Sequence, residues 1–462
     1  MTNIQKENNA LTALQDKFCI FNLGTISYGD FDQIDEVKLD GRYTNVHLYN
    51  KKDATLLMKR FLENQSIASN PKEVIEYFDL SGNTHIFKEI TFSPLPKGSD
   101  VLNLWIGPTV EPSSHGSCQI ILDFILENIC DNQCDVYEYL INYLAHMIQK
   151  PEEKPGVMIV LLGGQGIGKG TFFELLQTIW GKTALLVSSI DQVLGRFNGI
   201  LERNFVIELD EALFYGDKKS AEKLKSLITE ERLLIENKYE SQKSIASFHR
   251  FFASSNKSHF VNVDADDRRF LFLRVSEFKA QNVNYYGDIR ASFKDESTIG
   301  SFVTNLLNKD ISKFNFRQRP KTSEHTTQKI QSLQGFERWW HEELTEPTYI
   351  AAWMNNKLNY IFSSTLLESY KKSNPNSERY ETLQHKNIKS ILNKICPSAL
   401  GTRKQSNDGA KRAYVLPTLE VARNEFACYL GGVIDWQDLK TADNLQLDLI
   451  TCEEEEDEYS AF

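Results

Sequence analysis

The chain has 462 residues, of which 41% are hydrophobic and 25% charged, a balance that fits a globular protein of about three domains. No apolar run reaches the roughly 20 residues that cross a bilayer, and the polar opening stretch lacks the core of a signal peptide. The seven cysteines are scattered, with Cys130 and Cys134 the sole close pair, which excludes a disulfide scaffold or zinc finger and implies an intracellular protein with reduced thiols.

The net charge of −11 disfavours a nucleic-acid partner at first sight. Much of it, however, sits in residues 431–462, where Asp443, Asp448, Glu453, Glu454, Glu455, Glu456, Asp457 and Glu458 follow one another with no base after Lys440. The rest of the chain is close to neutral, and local basic surfaces decide phosphate binding.

Residues 1–110 read as a small α+β region, with β-like runs at 43–48 and 85–92 and a helix near 54–65. Asp30 and Asp32 form a D-x-D, but no apolar strand precedes them, and the region looks too short for a primase-polymerase module. Any priming is therefore expected on another chain or on a part outside this sequence. Residues 111–150 read as a bundle of two helices, with Ile120, Ile121, Phe124 and Ile125, then Tyr139, Leu140, Tyr143, Leu144 and Met147, at helical spacing.

Residues 151–345 begin with an apolar strand at 157–162, followed by Gly163, Gly164, Gln165, Gly166, Ile167, Gly168, Lys169, Gly170 and Thr171, and then by a helix-like segment at 172–180. Strand, glycine loop and helix in this order make a phosphate-binding loop, in which backbone N–H groups and the helix N-terminus receive the anion. Lys169 is placed to reach the terminal phosphates. Gly170 stands where Ser or Thr is usual, so the Mg²⁺ hydroxyl is assigned to Thr171. The same GKGT string occurs in nucleoside monophosphate kinases, which keeps a nucleotide kinase as an alternative.

Three further elements follow. A strand at 205–209 ends in Asp210 and Glu211, a metal-binding acid and a base for attacking water. A strand at 249–256 ends in Asn256, suited to orienting that water. Arg268 and Arg269, after a run of aspartates, could reach the nucleotide of a neighbouring subunit. The choice between them is open.

This ordered set resembles superfamily 3 DNA helicases of the AAA+ class, particularly phage and poxvirus-type primase-helicases. The segments at 102–107 and 146–151, and Gly195, Arg196, Phe197 and Asn198, fit the same branch. The likeness covers residues 85–280 well, 346–430 loosely and the first 80 hardly at all. It implies an α/β fold, an AAA+ core with a central parallel sheet. It also implies a ring, most simply a hexamer, that uses ATP and Mg²⁺ to move on single-stranded or forked DNA during replication of a phage, virus or mobile element. Such a protein would act in the host cytoplasm. An ATP-switched origin-binding initiator without unwinding activity is the alternative.

In these rings a channel hairpin carries a phosphate-binding lysine. Residues 233–245 read as that hairpin, with Lys238 the first candidate and Lys243 the second. Residues 346–430 read as a winged-helix-like domain. Lys386 and Lys389 lie on one face of its second helix, and Arg403, Lys404, Lys411 and Arg412 on its wing. The acidic tail ends in Phe462, as do the partner-docking tails of single-strand-binding proteins, and a similar role toward a replication partner is expected.

Overall fold

A computed structural model describes residues 3–39, 46–210, 218–238, 242–256, 260–261, 267–350, 353, 359–373, 385–406, 409–432, 434 and 436. Glu211 and the acidic tail lie outside the described residues, and so does the side chain of Lys386. The chain forms two compact units. One takes residues 1–212, 222–256 and 273–318, and the other takes 213–221, 257–272 and 319–462.

The first unit opens with helix α1 (Asn3–Lys17) and strands β1 (Phe18–Asn22) and β2 (Ile26–Asp30), which pair antiparallel. Helices α2 (Phe31–Leu39), α3 (Lys51–Gln65) and α4 (Pro71–Leu80) follow. Asn50 caps α3 by accepting from the Asp53 N–H, and Ser66 ends it in the left-handed region. Ala10, Leu14, Met58, Leu62, Val74 and Phe78 close a core between these helices. The β-run expected at 85–92 is two strands in different sheets. β3 (Ile86–Phe87) joins β1, whereas β4 (Glu89–Thr91) pairs with β5 (Val101–Asn103). Residues 46–48 are not a strand; Tyr49 alone bridges to Tyr28.

The segment expected as two helices has three parts. They are α5 (Gln119–Asp123), a π-turn over Phe124–Ile129, and α6 (Cys134–Gln149). The inner face of α6 buries Tyr139, Leu140, Tyr143, Leu144 and Met147, as its spacing predicts.

The central sheet is built from β6 (Met158–Leu162), β7 (Ala184–Val187), β8 (Val206–Leu209), β11 (Arg250–Ser255) and β12 (Phe270–Arg274), in the order β12-β6-β11-β8-β7. β6 and β8 are buried throughout, as strands covered on both faces must be. Helix α7 (Lys169–Trp180) follows the glycine loop and ends at Gly181. Between β8 and β11 the chain makes helix α9 (Lys218–Thr229; α8 is Asp191–Leu194) and the hairpin β9 (Arg232–Ile235) and β10 (Lys243–Ala246). Helices α10 (Val283–Lys294) and α11 (Glu296–Asn308) complete the unit.

The second unit contains α12 (Ser323–Ser332) and α13 (Gly335–Thr345), then helices Ser363–Ser373, His385–Ile395 and Leu419–Leu430. A three-stranded antiparallel sheet lies among them, with β15 (Gly409–Val415) between β13 (Tyr360–Phe362) and β14 (Leu400–Ser406). Phe336, Trp340, Leu366, Tyr370, Ile388, Leu392, Ile395 and Phe426 form its core. Ile388, Leu392 and Ile395 face inward at helical spacing, which leaves Lys389 exposed.

Candidate functional site

The glycine loop starts where β6 ends. Gly163, Gly166 and Gly168 have φ of 137°, 70° and 98°, values that β-carbon-bearing residues rarely adopt. Gln165 and Gly166 are exposed at the loop crest, while Ile167 is buried and anchors it. Gly168 precedes the first turn of α7, so Lys169 and Gly170 sit at the helix start. The Lys169 ammonium donates to the carbonyls of Gly163 (2.6 Å) and Gly164 (2.5 Å) and to Asn256 Oδ1 (2.7 Å). Residues expected to grip and to orient around a terminal phosphate therefore meet directly.

Sheet order brings them together. β11 pairs in parallel with β6, Ser255 opposite Leu162, so Asn256 emerges beside the loop. β8 pairs with the other side of β11, and Asp210 at its end accepts a hydrogen bond from Ser254 Oγ (2.6 Å). Asp210 is exposed and offers a hard oxygen ligand of the kind Mg²⁺ takes. Thr171 is buried, and its Oγ1 accepts from Arg290 Nη2 (3.0 Å), whose Nε donates to Glu174 (2.6 Å). A cation on Thr171 would thus have to displace a guanidinium, so Asp210 fits the ion as it stands and Thr171 fits it once Arg290 moves.

Two residues at this site were missed by sequence reasoning. Glu208 shares the buried β8 with Asp210 and lies on the same side of the strand, two residues away. Burial and the neighbouring Asp210 charge push its carboxyl up to about 9, so it is neutral at pH 7. An acid inside an apolar strand was the available signal. Arg290 belongs to no motif, and only the packing of α10 against α7 reveals it.

The hairpin forms as expected, with Lys243 opposite Ile235 and Ala246 opposite Arg232. Lys238 is exposed in the turn, with its ammonium 5.7 Å from the Phe197 ring centroid. The segment 195–198 braces the hairpin. Arg196 pairs with Glu236 (2.6 Å), and Asn198 bonds both the Leu234 carbonyl and the Glu236 N–H. Lys243 instead pairs with Glu202 (2.7 Å) at the turn end of β10, so holding a phosphate would cost it that partner. The upstream string also has a place: Trp105 packs its ring 5.0 Å from that of Phe205, the residue leading into β8. Asp30 and Asp32, the D-x-D, both pair with Lys17.

In the second unit, Arg268 is exposed, whereas Arg269 is tied to Asp267 by its guanidinium (3.1 Å) and its main-chain N–H (2.8 Å). On the wing, Arg403 stands directly opposite Arg412, and Lys404 directly opposite Lys411. Cross-strand partners share a face, so each face of the ribbon carries a pair of like charges.

Comparison with known proteins places this geometry. Residues 161–269, which hold the glycine loop, Asp210, Asn256 and both arginines, match the model of a family described as a family of unknown function (DUF5906). The chain is 31% identical over 133 residues to a DNA primase-polymerase of Nitratiruptor phage NrS-1, a match spanning 28% of this chain and 18% of that protein. Structures of the NrS-1 C-terminal region (305–718) superpose with TM-scores of 0.60 and 0.57. Each has 16% identity and covers 88% of this chain and 98% of theirs. The chain has the fold of that C-terminal region. The curated phage protein is matched over less than a fifth of its length, and the likeness in structure is to its C-terminal part.

Proposed function

We propose that this chain is an ATP-driven motor on DNA in phage replication, a superfamily 3-type helicase working as a ring. The observation that carries the reading is Lys169 held against Asn256 at the ends of adjacent parallel strands, with Asp210 on the next strand over. A structural glycine turn has no need of a buried ammonium held by the amide that follows the neighbouring strand. The insertion of the Asn256 strand between the loop strand and the acidic strand supports the AAA+ reading. The similarity to a phage DNA primase-polymerase supports the replication setting.

In this reading Lys169 and the loop amides bind the phosphates, and Asn256 orients water beside them. Arg290, once released from Thr171, adds a second cation, and Arg268 serves a neighbouring subunit. Asp210 and Thr171 would hold Mg²⁺, which supplies charge neutralisation of the phosphates. Glu211 is the general base. Lys238 grips single-stranded DNA, Lys243 assists it, and the wing with Lys386 and Lys389 holds duplex or forked DNA. The tail recruits a replication partner. The setting would be the host cell of the phage.

Turnover of ATP with and without single-stranded DNA, together with strand displacement on a fork, tests the proposal. Wild-type protein should show DNA-stimulated turnover and unwinding, and Lys169→Ala should lose both. Phosphorylation of nucleoside monophosphates without DNA would instead favour a kinase. DNA binding that depends on ATP, with no displacement by wild type, would favour the initiator.

A further inference from the structure

We infer that Asn128, through Tyr286, is a positioning residue that sets the shape of the phosphate loop; this rests on the ATP reading above. Asn128 lies in the π-turn between α5 and α6, nearly forty residues ahead of the loop, and is 1% exposed. Its Nδ2 donates to the carbonyls of Ile167 (2.9 Å) and Ser276 (3.2 Å), and its Oδ1 accepts from the Tyr286 hydroxyl (2.9 Å). Its own carbonyl accepts from Ser276 N–H (2.8 Å). One side chain therefore joins the loop, the chain after β12, and α10.

Asparagine suits the position because it presents two donors and one acceptor in a plane. Leucine there would strand two carbonyls and a hydroxyl, and aspartate would set oxygen against oxygen. The effect on the loop follows from peptide geometry. In a trans peptide the carbonyl and the next N–H point to opposite sides. Fixing the Ile167 carbonyl on Asn128 therefore fixes the Gly168 N–H on the loop's other side. The Gln281 N–H does the same one residue earlier, binding the Gly166 carbonyl (2.9 Å) and so directing the Ile167 N–H. Two successive donors are thus aimed from outside the loop. Tyr286 also closes the space beside Gly168, where a β-carbon would come within 2.7 Å of its ring.

The test uses the full chain and four variants, Tyr286→Phe, Asn128→Leu, their double and Lys169→Ala. The readouts are KM for Mg·ATP, kcat and Tm. Tyr286→Phe keeps the ring and removes the hydroxyl. It should raise KM about three- to tenfold, the range for one buried hydrogen bond, with little change in kcat or Tm. Asn128→Leu should raise KM further. The double should be no worse than Asn128→Leu alone, because the hydroxyl's partner is already gone. Wild-type KM in Tyr286→Phe and Asn128→Leu, alongside lost ATP binding in Lys169→Ala, would overturn the inference and leave the ATP site standing. So would effects that multiply in the double, or a drop confined to kcat. Should Asn128→Leu fail to fold, KM in Tyr286→Phe decides alone. If Lys169→Ala binds ATP like wild type, the ATP reading fails and the inference falls with it.

Discussion

Gly168 combines two demands that no other residue meets: a φ of 98° and a wall made by Tyr286 and Asn128 at β-carbon distance. Gly168→Ala should therefore lose nucleotide binding in a titration with a fluorescent ATP analogue, whereas Gly170→Ala, with open space beside it, should retain it. Glu208 gives a second residue-scale expectation. Its folded pKa of about 9 lies above the ordinary 4.5, so folding holds a proton that the unfolded chain has already released. Stability from this group is full below about pH 4.5 and is lost as the pH climbs toward 9. Glu208→Gln should flatten that slope, raising Tm above wild type near pH 8 and matching it near pH 4.5. Lys169, Asp210 and Asn256 were readable from the sequence because each ends an apolar strand or opens a helix. Arg290 and Asn128 were not, since their roles arise from elements packed across the fold rather than from neighbours in the chain.

At the scale of elements, two features carry expectations. Arg250 on β11 is fully buried and donates to the carbonyls of Phe248, Lys150, Pro151 and Glu153. It pins the turn between α6 and β6. Arg250→Met should lower unfolding free energy by roughly 3 kcal/mol in urea titration, because the carbonyls lose their donor. In the hairpin, Lys238→Ala should weaken DNA stimulation of ATP turnover about tenfold, as removal of a phosphate-gripping cation does. Lys243→Ala should weaken that stimulation less and lower Tm slightly, since it opens the Glu202 pair at the turn end of β10. The hairpin was legible from its polar tip between apolar ends, and the helix over His385–Ile395 from its spacing. The π-turn was not, because a single extra residue per turn leaves the apolar periodicity of 119–129 almost intact. The separation of β3 from β4 was hidden as well. Strands this short carry too few residues to show which sheet each joins.

For the whole molecule, two compact units divide the proposed work, with the nucleotide loop in one and the basic wing in the other. Replacing Arg403, Lys404, Lys411 and Arg412 by alanine together should reduce the salt dependence of DNA binding. The log–log slope should fall by about 0.7 to 0.9 for each phosphate that is no longer neutralised, measured by fluorescence anisotropy. The order of the core strands was readable as far as loop, acid, amide and arginines succeed one another. Their spatial order, with β11 between β6 and β8, follows from crossovers that leave no periodic trace. The wing itself holds a further consequence. Arginine faces arginine on one side of the ribbon and lysine faces lysine on the other. Like charges set directly opposite each other cost stability, and an anion between the strands would relieve that cost. On the proposed reading, a polyanion such as heparin should therefore steady the wing whichever of the two cation pairs it meets, without calling on any particular base.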